Sequence, residues 1–275
     1  MERTGPLRRK TEERFGRVFL SGVGVVLLVL ALGSPTAAWA AFYGTYNGTN
    51  VTYSDVEDVN GLFGAPTVAG NDLGFSPSTF EADCSLSPSC PPAPAAATDT
   101  LTLEISTDPG YSISAFDIQF GGDFNFESVV GALGAATAVA NLFVDILEVD
   151  GQSINVISAV QAADFEINGS GVIQQAGLTS TSAVEGYGTH TFTGSASVAL
   201  GQILAANAVS GVVTRAIVSL DVSITAFAGS GATSRIEIKD TGEQVFGVTI
   251  IPEPTTAALL GLGLIGLASR RRSAI

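Results

Sequence analysis

Hydrophobic and polar residues alternate with a period of two along most of the chain's middle. Leu101, Leu103 and Ile105 alternate with Thr100, Thr102, Glu104 and Ser106. His190, Phe192, Gly194, Ala196, Val198 and Leu200 share one parity, opposed by Thr191, Thr193, Ser195 and Ser197. Leu220, Val222 and Ile224 alternate with Ser219, Asp221, Ser223 and Thr225. Successive side chains of a strand point to opposite faces, so each run predicts a strand with one buried face. Further strands are predicted at Val51–Val56, Tyr111–Phe120, Leu142–Val149, Arg235–Lys239 and Gln244–Ile251. Helical periodicity is weak, and the best candidate helix is Gln202–Ala208. The pattern predicts an all-β fold, an antiparallel β-sandwich of jelly-roll-like or immunoglobulin-like type.

Punctuation refines this picture. Residues 41–98 are broken by NGTN, VNG, GAP, AGND and SPS, which predicts an irregular region. Five of the eleven prolines lie between Pro77 and Pro94, and none lies between Pro109 and Pro252. A proline-free stretch suits continuous sheet pairing. The domain reading is 1–40 as a signal peptide, 41–251 as the β-sandwich ectodomain and 252–275 as a C-terminal signal.

Both ends carry export chemistry. Six basic residues (Arg3, Arg8, Arg9, Lys10, Arg14 and Arg17) precede an apolar run from Val18 to Leu32. Ala38-Trp39-Ala40 then fits a small-residue cleavage box, which puts the mature start at Ala41 and requires export machinery and a signal peptidase. At the other end, Pro252-Glu253-Pro254 makes a stiff joint. An uncharged apolar segment follows from Thr255 to Ser269, a transmembrane helix near the short limit for a span. Arg270, Arg271 and Arg272 form a cytoplasmic stop. Gly261, Gly263 and Gly266 match G-x-G-x-x-G, but no βαβ unit can follow them, so a dinucleotide site is excluded.

Pro-Glu-Pro, a Leu/Gly-rich apolar helix and a terminal Arg cluster, in that order, resemble the PEP-CTERM sorting signal of bacterial exopolysaccharide-associated proteins. The same signal is sometimes labelled an ice-binding protein C-terminal domain, a label that carries no ice binding to this chain. The resemblance implies an exosortase-like membrane transpeptidase as partner, which recognises the tripeptide and removes the helix. It covers residues 252–275 and gives the ectodomain no activity.

Charge narrows the remaining classes. Hydrophobic residues make up 46% and charged residues 14%, which excludes a disordered acidic tail. Residues 41–251 hold 22 acidic groups against Arg215, Arg235 and Lys239, a net charge of −19. Such a body repels nucleic acid and anionic membranes and attracts cations or basic partners.

Little in the ectodomain points to catalysis, and a non-enzyme is expected. His190 is the single histidine and no G-x-S-x-G occurs, so no nucleophile elbow can be assigned. Glu104, Asp117, Asp123, Glu127, Glu148, Asp164 and Glu166 are candidates for a glycosidase acid and base, whose spacing in space the sequence does not show. No cofactor is expected. Calcium is the alternative, from Asp55, Glu57, Asp58 and Asn60 before Gly61, or from Glu148 and Asp150 before Gly151. Neither cluster fits the EF-hand register, and turn-forming acids account for both. Cys84 and Cys90 in an exported chain predict a disulfide. The functional expectation is an exported, non-catalytic surface or matrix protein associated with exopolysaccharide or biofilm. The alternatives are a carbohydrate- or calcium-binding module, then a glycoside-active enzyme.

Overall fold

The computed structural model describes residues 40–77, 80–85, 90, 93–128, 131–167, 170–239 and 245–252. The expected signal helix, Ala38, Glu253, Pro254, the apolar segment and Arg270–Arg272 lie outside these residues. No helix among the described residues is long and apolar enough to cross a membrane.

The described strands are β1 (Ala41–Asn47), β2 (Val51–Asp58), β3 (Thr67–Ala69), β4 (Asp72–Gly74), β5 (Glu81–Asp83), β6 (Ala95–Thr107), β7 (Tyr111–Ser128), β8 (Gly134–Val149), β9 (Gln152–Ala162), β10 (Asp164–Ile167), β11 (Ile173–Gln174), β12 (Leu178–Thr181), β13 (Gly188–Ala199), β14 (Val213–Ala228), β15 (Ala232–Lys239) and β16 (Val245–Pro252). Two short helices, α1 (Ser182–Glu185) and α2 (Leu200–Ala206), interrupt them. All pairings are antiparallel. One layer runs β1-β2-β6-β14-β8, with β9 and β12 sharing the far edge of β8. The other is centred on β7. On one side of it lie β13, β10 and β11; on the other, β15 with β5 and β16 with β4 and β3. The single pair Val213↔Ile113 joins the layers into one hydrogen-bonded network.

The expected parity holds where the layers face each other. Leu101, Leu103, Ile105, Phe192, Val198, Val222 and Ile224 are all buried. So are Phe116, Ile118, Phe120, Gly122, Phe124 and Phe126, every second residue of β7 from 116 to 126. Ser234 Oγ donates to Ala135 O at 2.7 Å across the interface, so β15 and β8 are in direct contact.

Register explains two glycines. Phe192 pairs with Gly122, and Gly194 with Phe120. A Cβ on Gly122 would fall 2.6 Å from Phe192 Cζ, and one on Gly194 would fall 2.5 Å from Phe120 Cζ. Each ring therefore lies over the strand position that has no side chain, and cross-strand aromatic cover of a glycine stabilises pairing. The rings continue to Phe165, 5.6 Å from Phe120 and 6.1 Å from Phe192. Each such pair contributes ~0.5–1.5 kcal/mol beyond its area burial.

Three features differ from expectation. Beside the expected strand at Val51–Val56, which is β2, the region 41–98 contains β1, β3, β4 and β5, so turn residues there punctuate a sheet. Gly44 at φ 87 and the register shifts around it blunt β1 as an edge strand. The strand expected at Leu142 begins at Gly134, and β9 was not anticipated. The helix expected at Gln202–Ala208 is α2, two residues earlier.

Candidate functional site

The C-terminal joint is built directly on the sheet. β16 pairs with β7 from Val245↔Gln119 to Pro252↔Tyr111, with one irregularity between Thr249 and Ile250. Phe246 and Val248 are buried and hold the strand down, and Phe246 packs 5.8 Å from Phe116. Ser114 Oγ donates to Thr249 O at 3.0 Å, and Ser112 Oγ to Ile251 O at 3.4 Å. Pro252 is exposed at the strand end. The outer edge of β16 pairs with β4 only at Val245 and Phe246, so a residue without an N–H is tolerated there.

Opposite Pro252 stands the turn Asp108-Pro109-Gly110-Tyr111. Tyr111 N–H donates to Asp108 O at 3.1 Å, and Gly110 has φ 86. Proline at the second position and a left-handed glycine at the third make a type II turn. Asp108 and Pro109 are exposed.

The body's three cations each pair with two carboxylates, Arg215 with two on neighbouring strands, Arg235 and Lys239 each with one on a neighbouring strand and with Glu237 of their own strand. Arg215 reaches Glu148 at 3.0 Å and Glu104 at 3.5 Å. Arg235 pairs with Glu81 at 2.7 Å and with Glu237. Lys239 pairs with Asp123 at 2.6 Å and with Glu237. Glu237 is buried and the other groups are partly exposed, so the pairs that do not involve Glu237 contribute roughly 0–1 kcal/mol each. Glu127 accepts from Asn125 Nδ2 at 3.0 Å.

Asp117 and Asp164 line one groove of about 570 Å³ with Gln119, Gln161, Ser195 and Ser197. Asp164 pairs with Ser195, Ser195 with Gln119, and Ser197 with Asp117. Two strand spacings and two residue rises put the aspartate Cα atoms ~12 Å apart.

The calcium candidates do not converge. Asp55 and Glu57 are exposed, whereas Asp58 is fully buried. Glu148 is paired with Arg215, and Asp150 Oδ1 accepts the Val212 N–H at 2.9 Å. Among the described residues no three His, Cys, Asp or Glu groups come together as a metal set.

A buried carboxyl pair was missed by sequence reasoning. Asp58 accepts the N–H groups of Gly61 at 3.0 Å and Phe63 at 2.9 Å. Asp99 accepts those of Asn60 and Leu62, each at 2.8 Å. The two aspartates thereby clamp the Val59–Phe63 loop, and they hydrogen-bond each other. Burial, then the hydrogen bond and charge of Asp99, push the Asp58 carboxyl up to about 7, against the lowering effect of the loop N–H groups. Asp99 stands at the start of an alternating strand with no acidic neighbour in sequence, so only the β2–β6 register reveals the pair.

Cys84 and Cys90 are bonded, with Cα atoms 5.3 Å apart. His190 stacks on Phe124 at 5.2 Å, and its Nε2 has no hydrogen-bond partner. Ala40 precedes β1, and Ala41 is its first residue.

No curated protein matches the sequence significantly. Among solved structures, a chain of the structure of infectious bursal disease virus Gt strain is 13% identical, with 82% of this chain and 60% of that chain covered. This chain thus spans less than two thirds of it, and the TM-score of 0.18 does not establish a common fold. The family model for the PEP-CTERM protein-sorting motif matches residues 251–272. The match starts inside β16 and continues through the Arg cluster, so this is a protein carrying a PEP-CTERM sorting signal, which implies export, cell-surface sorting and processing by an exosortase.

Proposed function

We propose that the chain is a non-catalytic surface or matrix protein whose β body works among extracellular polysaccharides after exosortase-like processing. The sorting motif at 251–272 carries this reading. The proposal includes a cleaved N-terminal signal, with Ala41 as the new start, and a C-terminal transmembrane helix that anchors the body until it is removed. The body is read as jelly-roll-like, because the chain crosses between layers at β2–β3, β5–β6, β6–β7, β7–β8, β9–β10, β11–β12, β12–β13, β13–β14 and β14–β15.

The absence of catalysis is supported by the fate of the candidate acids. Glu104, Glu148 and Asp123 are engaged by cations, Asp117 accepts from Thr249 Oγ1 at 3.4 Å, and Asp164 accepts the Ala176 N–H at 3.4 Å. The test is fractionation of producing cells followed by assay on polysaccharides. The protein should appear at the surface or in the matrix without turnover. Turnover abolished by Asp117→Asn or Asp164→Asn would overturn the non-catalytic reading.

A second reading, a glycan-binding module, draws on the groove at Ser195. Its carboxylates, amides and hydroxyls suit a neutral polyol, although no aromatic platform lines it. Calcium is a further proposal of this kind. Millimolar Ca²⁺ should raise the melting temperature if the folded body ligates it, and no shift would remove it.

A further inference from the structure

The sorting motif begins before the sheet ends. Ile251 and Pro252 fall within the match and pair with Ser112 and Tyr111. No spacer separates the folded body from the tripeptide. Pro254 is two residues beyond Pro252, so chain reach puts it within ~7 Å of the strand end. Tyr111 lies across the pair from Pro252 at a Cα spacing of ~4.5–5.5 Å. An enzyme that grips residues 252–254 must therefore bring the rim of its site against the Asp108–Tyr111 turn.

That end of the body has a definite chemistry. The turn is pinned by its own hydrogen bond and by Asp108 N–H donating to Asn50 O at 3.1 Å. Thr107 Oγ1 donates to Tyr111 O at 2.9 Å, and also reaches Thr214 O at 3.4 Å. The neighbouring turn contains Asp150, whose Oδ1 is used on Val212. Asp108 is exposed, and its carboxylate makes no ion pair or hydrogen bond among the described residues. The cations Arg215, Arg235 and Lys239 are all committed to other carboxylates. An acidic rim is repelled by anionic lipid headgroups and attracted to basic groups. The occupant it fits is thus a protein rim bearing Lys or Arg.

We propose that the type II turn Asp108–Tyr111 is the docking face of this body for the exosortase-like enzyme, and that Asp108 meets a basic group on that enzyme's outer rim. The proposal rests on the sorting reading above and adds a contact outside the tripeptide. β16 pairs Pro252, the first residue of the tripeptide, directly with Tyr111 of the turn.

The test is processing of the full chain in a bacterium that carries an exosortase-like enzyme, read by intact mass and by the fraction of product lacking Arg270–Arg272. Four chains are compared: wild type, Asp108→Arg, a chain with six Gly/Ser residues inserted between Ile251 and Pro252, and the two changes combined. The expected result is at least a fivefold loss of processing in Asp108→Arg. The inserted chain should be indifferent to the residue at 108, because the spacer uncouples tripeptide from turn. Equal processing of Asp108→Arg and wild type would overturn the contact. A loss that persists with the spacer would also overturn it, since a folding defect would then be the cause. A wild-type chain that keeps its tail would overturn the sorting proposal and this contact together.

Discussion

The Asp58–Asp99 pair predicts an unusual pH dependence of stability. The Asp58 carboxyl rises from 3.8 to about 7 on folding. Below pH ~4 both folded and unfolded chains hold the proton, and the contribution is fully present. As pH rises toward 7 the unfolded chain releases it while the folded chain keeps it, so stability falls. Above that range both have lost it and the loss is complete. At 1.36 kcal/mol per pH unit, the interval sets a ceiling on the order of 4 kcal/mol, of which ~3 kcal/mol falls between pH 5 and 8. The perturbation is Asp58→Asn. The amide nitrogen can donate to Asp99 and the amide oxygen can accept from the loop, as the protonated acid does, but no proton is exchanged. Urea unfolding at several pH values between 5 and 8 would measure both proteins. Wild type should lose up to ~3 kcal/mol more than the variant over this range. The comparison cancels the repulsion among the other acids, which is common to both. Parallel stability profiles would refute the shared proton.

Other outcomes follow from the same physics. Thiol labelling of denatured, unreduced protein should find no free cysteine, and Cys84→Ser with Cys90→Ser should cost ~2 kcal/mol, the loop-closure value for so short a loop. Gly122→Ala should destabilise by several kcal/mol, because its Cβ would lie 2.1 Å from the Glu237 backbone oxygen, which cannot move aside without breaking the β7–β15 pairing. Gly151→Ala, with open space but φ 71, should cost only ~1 kcal/mol. Similar melting temperatures for the two alanine variants would show that the close packing at Gly122 is not tight.

The limits of sequence reading follow from what alternation encodes. A period of two states which face of a strand is apolar, and this is why β6, β13 and β14 were legible: Leu103, Phe192 and Val222 lie inside as the pattern requires. It says nothing about which strand lies beside which. Strand β7 shows the consequence, since β13 covers one edge while β15 and β16 divide the other. Three sequence-distant segments meet there, and no local signal announces it. β9 escaped because most of its residues are exposed on both faces, Val156 and Val160 included, so polarity does not alternate. The acids show the same limit more sharply. Glu57 and Asp58 are adjacent in sequence, yet one is exposed and the other fully buried. Counting carboxylates near a turn therefore suggested a calcium cluster, whereas the register supplied Asp99 from 41 residues away, and the two aspartates clamp one loop. The C-terminal signal was legible because its parts are contiguous and ordered along the chain. What remained hidden was its attachment: only the pairing of Pro252 with Tyr111 shows that the signal starts on the body itself.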